Sequence, residues 1–224
     1  MNQKFLFATV ALFTVTMAFT ACSDAPKGDK ATVTAAQETT SQTTGETFNV
    51  DTTASAVRFI GNGVGKNHPG TFNLSTGALS VAGDKVNGGE FVIDMASMQI
   101  EEQAEMFQTK LKGHLQSPDF FDVAKWGTAK FKITDIKPYT PTGKDSSVVT
   151  GANYTVSGNF TLKDTTQNIT FPAKVNVTSD TVTALANFDI DRTQWGMRYG
   201  NDKSLGDKFI SETVNVQLNL KAVK

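Results

Sequence analysis

The stretch from Val156 to Val177 reads VSGNFTLKDTTQNITFPAKVNV, and its pattern decides the fold. Val156, Gly158, Phe160 and Leu162 occupy every second position, and so do Ile169, Phe171, Ala173, Val175 and Val177. A period of two places all of these on one face of a β-strand. Asp164 to Asn168, between the two runs, is polar and rich in turn-forming residues. The stretch therefore reads as a β-hairpin with one apolar face.

The same alternation extends through most of the chain. Val57 and Phe59 flank Arg58; Phe91, Ile93 and Met95 share a face; Ala129, Phe131 and Ile133 share another. Phe72, Leu74, Leu79 and Val81 belong to one strand, with Ser75-Thr76-Gly77 predicting a bulge and Ala82-Gly83-Asp84 a turn. Val148 and Val149 are expected to open the strand that continues to Leu162. Ala184, Ala186, Phe188 and Ile190 alternate with polar neighbours, as do Val214, Val216, Leu218, Leu220 and Ala222. The pattern predicts an all-β fold of about eight antiparallel strands. Closing such a sheet removes its exposed edges, and an eight-stranded barrel has room inside for one small ligand. Small inward residues (Gly61, Gly158, Ala173, Ala184 and Ala186) are expected to leave that room.

One segment breaks the period. Ile100, Ala104, Phe107, Leu111 and Leu115 recur at spacings of three and four, which predicts one short amphipathic helix. Its other face carries Glu101, Glu102 and Glu105 early and Lys110 and Lys112 late, in keeping with the helix dipole. Ser117-Pro118 ends it, because a residue before proline is pushed out of the helical region. The chain then reads HLQSPDFFDVAKWGTAKFKI from His114 to Ile133, with the pair Phe120-Phe121 bracketed by Asp119 and Asp122. This segment is expected to cap one end of the barrel.

The first residues have another purpose. Lys4 supplies a positive start, Phe5 to Phe19 an apolar run, and Phe19-Thr20-Ala21-Cys22 a small-residue close. Residues 1–21 read as a secretory signal peptide. Cys22 is the chain's sole cysteine. Its place resembles the lipobox of bacterial lipoproteins, which implies an acylated Cys22 at the new N-terminus. Residues 22–47, rich in Thr, Ser, Gln and Ala, then read as a flexible linker. Residues 48–224 form the single folded domain. The expected product is an exported lipoprotein, anchored to the bacterial cell envelope on the periplasmic side or at the surface. A disulfide is excluded by the cysteine count. A formal net charge of −1 speaks against a nucleic-acid partner, which would call for a basic face.

Phenylalanine dominates the aromatic residues, with 16 Phe against 3 Tyr and 2 Trp. Phe has no polar tip to satisfy, so the bias suits a dry interior. The candidate lining is Phe59, Phe72, Phe91, Phe131, Phe160, Phe171 and Phe188, with Phe107, Leu111 and Phe121 closing one end. Alternation alone leaves open which of Phe120 and Phe121 points inward. An aromatic stripe is also what an ordinary filled core looks like. His68 and His114 are the two histidines. With no thiol beside them they fall short of a zinc ligand set. Ser117, close to His114 in sequence, is not thereby a nucleophile–base pair. Structural roles are expected for both histidines, capping a loop or bonding backbone groups. Arg192 is expected to pair with Asp189 or Asp191 at the barrel mouth, or to meet a ligand headgroup. No cofactor and no catalytic residue is expected. The reading is a container for an apolar ligand, with a ligand-free structural module of the envelope as the alternative and an enzyme as the least supported class.

A set of motifs adds to this reading: His68-Pro69-Gly70-Thr71-Phe72, Gly89-Glu90-Phe91-Val92-Ile93-Asp94, His114-Leu115 with Ser117 to Asp122, Gly158 to Leu162, and Asp191 to Met197. In this order and spacing, from Phe48 to Val223, the chain resembles the YceI-like family of bacterial envelope proteins. The resemblance implies a lipocalin-like barrel that holds an isoprenoid or quinone-like lipid in its interior. Two positions depart from the family pattern. Lys125-Trp126 stands where many members carry Tyr-Pro, and Ala54-Ser55 where many carry His-Ser.

Overall fold

The computed structural model describes residues 26–39, 44–141 and 146–224. The proposed signal peptide and Cys22 lie outside the described residues. Eight strands close into an antiparallel barrel in chain order: β4 (Ala56–Gly63), β5 (Lys66–Ala82), β6 (Lys85–Ile100), β7 (Thr128–Pro138), β8 (Tyr154–Leu162), β9 (Thr165–Val177), β10 (Thr181–Asp191) and β11 (Ile210–Val223), which returns to β4. The final turn of closure is made by two strands. β4 bridges β5 and β11 at the upper end, while β3 (Glu46–Val50) pairs Ala78–Val81 of β5 and Ala222–Val223 of β11 at the lower end. Asp51 makes the break between them, its carboxylate accepting from the Thr53 and Ala54 amides and the Thr53 hydroxyl.

Alternation holds strand by strand. The inward set of β4 to β11 merges into one apolar cluster running from Phe59 and Phe72 at the upper end to Leu79, Val182 and Leu220 at the lower. The expected bulge in β5 is present as a register shift between Leu74 and Thr76 against β6. Two boundaries differ from expectation. Val148 and Val149 belong to the loop before β8, because the apolar alternation that pays off in pairing starts only at Tyr154. Ile100 is the last residue of β6 and pairs with Gly70, so the helical face begins later than its spacing suggested. Helical backbone runs over 105–116, as a π-helical turn (Phe107–Leu111) followed by α1 (Lys112–Gln116). It ends at Ser117, whose ψ of 170° is extended, as a residue before proline should be.

The largest departure is upstream of the barrel. The segment expected to be a loose linker contains β1 (Asp29–Lys30) and β2 (Thr32–Ala35). β9 and β10 pair directly only over Ala173–Val177 and Val182–Ala186. Above that, β1 pairs in parallel with Phe188–Asp189 of β10, and β2 pairs antiparallel with Gln167–Thr170 of β9. The segment fills a seam in the wall. Ala31 is buried, and Val33 packs against the core. Gly28 fits because a Cβ there would lie 2.7 Å from the Phe188 backbone. Its amide donates to the Asp189 carboxylate. The Asp29 carboxylate accepts from the Ser147 hydroxyl and the Val148 amide, and Gln37 exchanges two hydrogen bonds with the Asn159 side chain. Composition misled here because a strand that completes an existing sheet needs backbone groups more than large side chains. An unpaired edge is costly, and any sequence free of proline can satisfy it.

Deletion of residues 26–39 therefore uncovers the facing edges of β9 and β10. With each net hydrogen bond contributing about 1 kcal/mol, the loss is on the order of 2–4 kcal/mol. Thermal melting should fall by roughly 5–10 °C for a domain of this size. Hydrogen exchange should accelerate at Gln167–Thr170 and Phe188–Asp189 before it does so in β5 and β6.

Candidate functional site

The upper end of the barrel is hollow. A cavity of about 320 Å³ opens among the β4–β5 turn, the helical connection after β6 and the residues preceding β11. Its walls are the inward side chains of β4 to β11. Phe59, Phe72, Phe91, Phe131, Phe160, Phe171 and Phe188 all line it, and Leu111 and Phe121 cover it from the connection. Both members of the Phe120-Phe121 pair reach it. Phe121 sets its edge against Phe72 at 5.5 Å and Phe59 at 6.3 Å, which fastens the cover to the first two strands of the barrel. Phe107 does not line the cavity. One turn of helix away from Leu111, it meets the His68 ring instead, tilted at 47° with centroids 5.3 Å apart.

The two histidines hold the cover in place. His68 Nδ1 lies 2.9 Å from the Glu102 carboxylate, at the start of the connection. His114 Nε2 lies 3.0 Å from Asp119, and its ring meets Phe120 and Tyr199 edge-on at 5.1 and 4.7 Å. Their partners are carboxylates rather than backbone groups. Arg58 adds a two-point bond to Glu101 at 2.6 and 2.7 Å, holding that carboxyl below the usual carboxylate range. The Ser117 hydroxyl donates to the His114 carbonyl oxygen, not to its ring.

Arg192 is buried where the cavity meets the connection between β10 and β11. The expected ion pair with Asp189 or Asp191 is not formed. Asp189 serves Gly28 and Asn215, and Asp191 caps the short 3₁₀ turn Arg192–Trp195 through Thr193. The guanidinium donates instead to the carbonyl oxygens of Ser211 (2.8 Å), Tyr199 (2.9 Å), Ile210 (2.9 Å) and Met197. Its fork geometry suits several converging carbonyls at once, and a sequence pattern carries no sign of them. Burial lowers its pKa, while Asp191 and Glu212 oppose that. Trp195 and Met197, also unforeseen, pack beneath the same turn. The Trp195 indole donates to the Phe160 carbonyl oxygen at 3.1 Å, and its ring meets that of Phe160. The sequence carries both Trp195 and Met197 in the Asp191 to Met197 motif, without a periodicity that would place them in the core.

Polar groups at the mouth are few and scattered. Lys66, Asp207 and Lys208 stand on the rim, Asn62, His68, His114, Arg192 and Ser211 add polar groups to the lining, and the rest of the wall is aromatic and aliphatic. Such a site retains a ligand by apolar burial, about 25 cal/mol per Å², with the rim meeting whatever polar end remains outside.

Arg192→Met should strand four carbonyl groups in a buried place and cost about 3 kcal/mol or more in chemical denaturation. Arg192→Lys should recover only a minor part, since an ammonium cannot span the four acceptors.

Two solved structures share the architecture. That of BcnA from Burkholderia cenocepacia aligns with a TM-score of 0.53 at 19% identity, covering 77% of this chain and 99% of its own. A polyisoprenoid binding domain from Saccharophagus degradans, implicated in plant cell wall breakdown, aligns with a TM-score of 0.57 at 17% identity, covering 79% and 97%. At such identities the likeness is one of fold. No curated protein matches the chain. Residues 48–222 match the YceI-like domain model, a span that takes in β4 to β10, nearly all of β3 and β11 and all of the cavity-lining side chains, so the chain belongs to the YceI-like domain family.

Proposed function

We propose that this protein binds an isoprenoid or other long-chain amphiphile in its barrel, without catalysis, as a membrane-tethered carrier or store. The observation that carries the reading is the hollow, aromatic upper chamber with one polar-rimmed mouth. A filled-core module of the envelope has no use for such a space. The Saccharophagus degradans domain, described as polyisoprenoid binding, supports the same ligand class. Tethering rests on the sequence Phe19-Thr20-Ala21-Cys22 after an apolar run. An acyl chain contributes about 0.8 kcal/mol per buried CH₂, so stable anchoring calls for more than one chain on Cys22.

Native mass spectrometry of the domain, produced in a bacterial periplasm and purified without detergent, tests the binding. A releasable adduct of prenyl or quinone mass is expected. Phe160→Asp, which puts a charge into the wall, should abolish the adduct, as should Leu111→Asp in the cover. Ser117→Ala should leave it unchanged. An apo mass that persists after addition of isoprenoid quinone would favour the ligand-free module. For the anchor, Cys22→Ser should abolish incorporation of labelled palmitate and release the protein from the membrane fraction.

A further inference from the structure

The upper chamber has a floor. Below it lies a second void of about 40 Å³, walled by aliphatic side chains such as Val86, Val156, Val182 and Leu220. The two spaces share Phe91, Phe131, Phe171 and Leu218 as common walls. The three rings form a layer across the barrel. Phe91 and Phe131 are register partners on β6 and β7 with centroids 5.4 Å apart, and Phe131 and Phe171 are 5.8 Å apart. Phe171 in turn stacks on Phe188 at 4.1 Å. Phe131 is held at the centre by a missing side chain. A Cβ at Gly158 would come within 2.2 Å of its ring, so the space expected to be open at Gly158 is where the ring lies. Ala173 and Ala184 keep the void beneath it open.

From this we infer that the Phe91–Phe131–Phe171 layer limits how deep a ligand tail enters and so sets the tail-length selectivity of the site. The inference rests on the lipid-binding reading above. At roughly 30 Å³ per non-hydrogen atom, a chamber of about 320 Å³ takes on the order of ten carbon atoms, or about two isoprene units. The void below takes about one atom by the same measure and holds no tail by itself. Each methylene moved from water into the chamber is worth about fourfold in affinity. That gain stops at the floor. The rest of a longer tail remains at the mouth, among Lys66, Lys208 and the cover, and adds little.

The test is a tail-length series. Prenols of one, two, three, four and nine isoprene units are titrated against the folded protein, with binding read by native mass spectrometry and by quenching of the buried Trp195. The wild type should gain affinity from one unit to two and then level off, within about threefold for all longer tails. Phe131→Leu, which lowers the floor into the void beneath, should favour three units over two by at least tenfold. Adding Ala173→Leu refills the lower void and should restore the plateau. Thermal melting shows that each variant is folded, and the wild-type series decides the question even if one is not. A wild-type affinity that climbs without a break to nine units would overturn the floor. So would a folded Phe131→Leu whose break stays at the wild-type length. If no prenol of any length binds the wild type, the lipid-binding reading itself fails, and the floor falls with it.

Discussion

Closure of the backbone ladder is the constraint on which everything else depends. A sheet curled into a barrel has no tolerance for an unpaired stretch in its wall, because each buried amide or carbonyl left without a partner costs as much as a lost hydrogen bond. This chain meets that demand with two repairs. One position in the wall is shared by two short strands, β3 and β4, around the Asp51 turn. The upper seam between β9 and β10 is filled by residues 28–37, which come from far upstream. Once the wall is closed, the inward faces converge and the distribution of side-chain volume decides where space remains. Phenylalanines on the four strands β6, β7, β9 and β10 meet at mid-height, and the upper end stays hollow.

The strands and their inward faces were legible because alternation records burial directly. Of the proposed lining, the phenylalanines on the strands face the cavity, since a period of two leaves only two faces to choose from. Phe107 shows where periodicity weakens. A short helical segment that includes a π-helical turn advances by a different angle per residue, and its ring is carried round to His68. The seam strand was hidden for another reason. Thr32, Val33, Thr34 and Ala35 have little that marks a core strand, and their partner edges lie more than 130 residues away. Pairing of that kind is a property of the closed wall, not of the local sequence.

The polar side-chain pairs at the upper end have a common logic. Arg58 with Glu101, His68 with Glu102 and His114 with Asp119 each join two parts of the cover or tie it to the barrel. Exposed pairs of this sort contribute little to stability, about 0–1 kcal/mol each. Their geometry matters more, because they fix the connection over an apolar mouth. Arg192 differs in being buried with its donors shared among carbonyl oxygens. It shapes the β10–β11 connection from within, in the manner of a bound cation rather than an ion-pair partner.

The seam strand also determines how the barrel responds to force. Its first anchored residue, Gly28, sits beside Phe188, some way down the wall from the mouth. An anchor at Cys22 would be six residues away, a reach of about 20 Å at full extension. Tension from such an anchor, directed toward the lower end, runs along β1 and β2 and loads their hydrogen bonds in shear, so that several must break together. Pulled outward from the wall, the same strand peels one bond at a time. Such an attachment would thus be anisotropic in strength: firm along the barrel axis and weak across it.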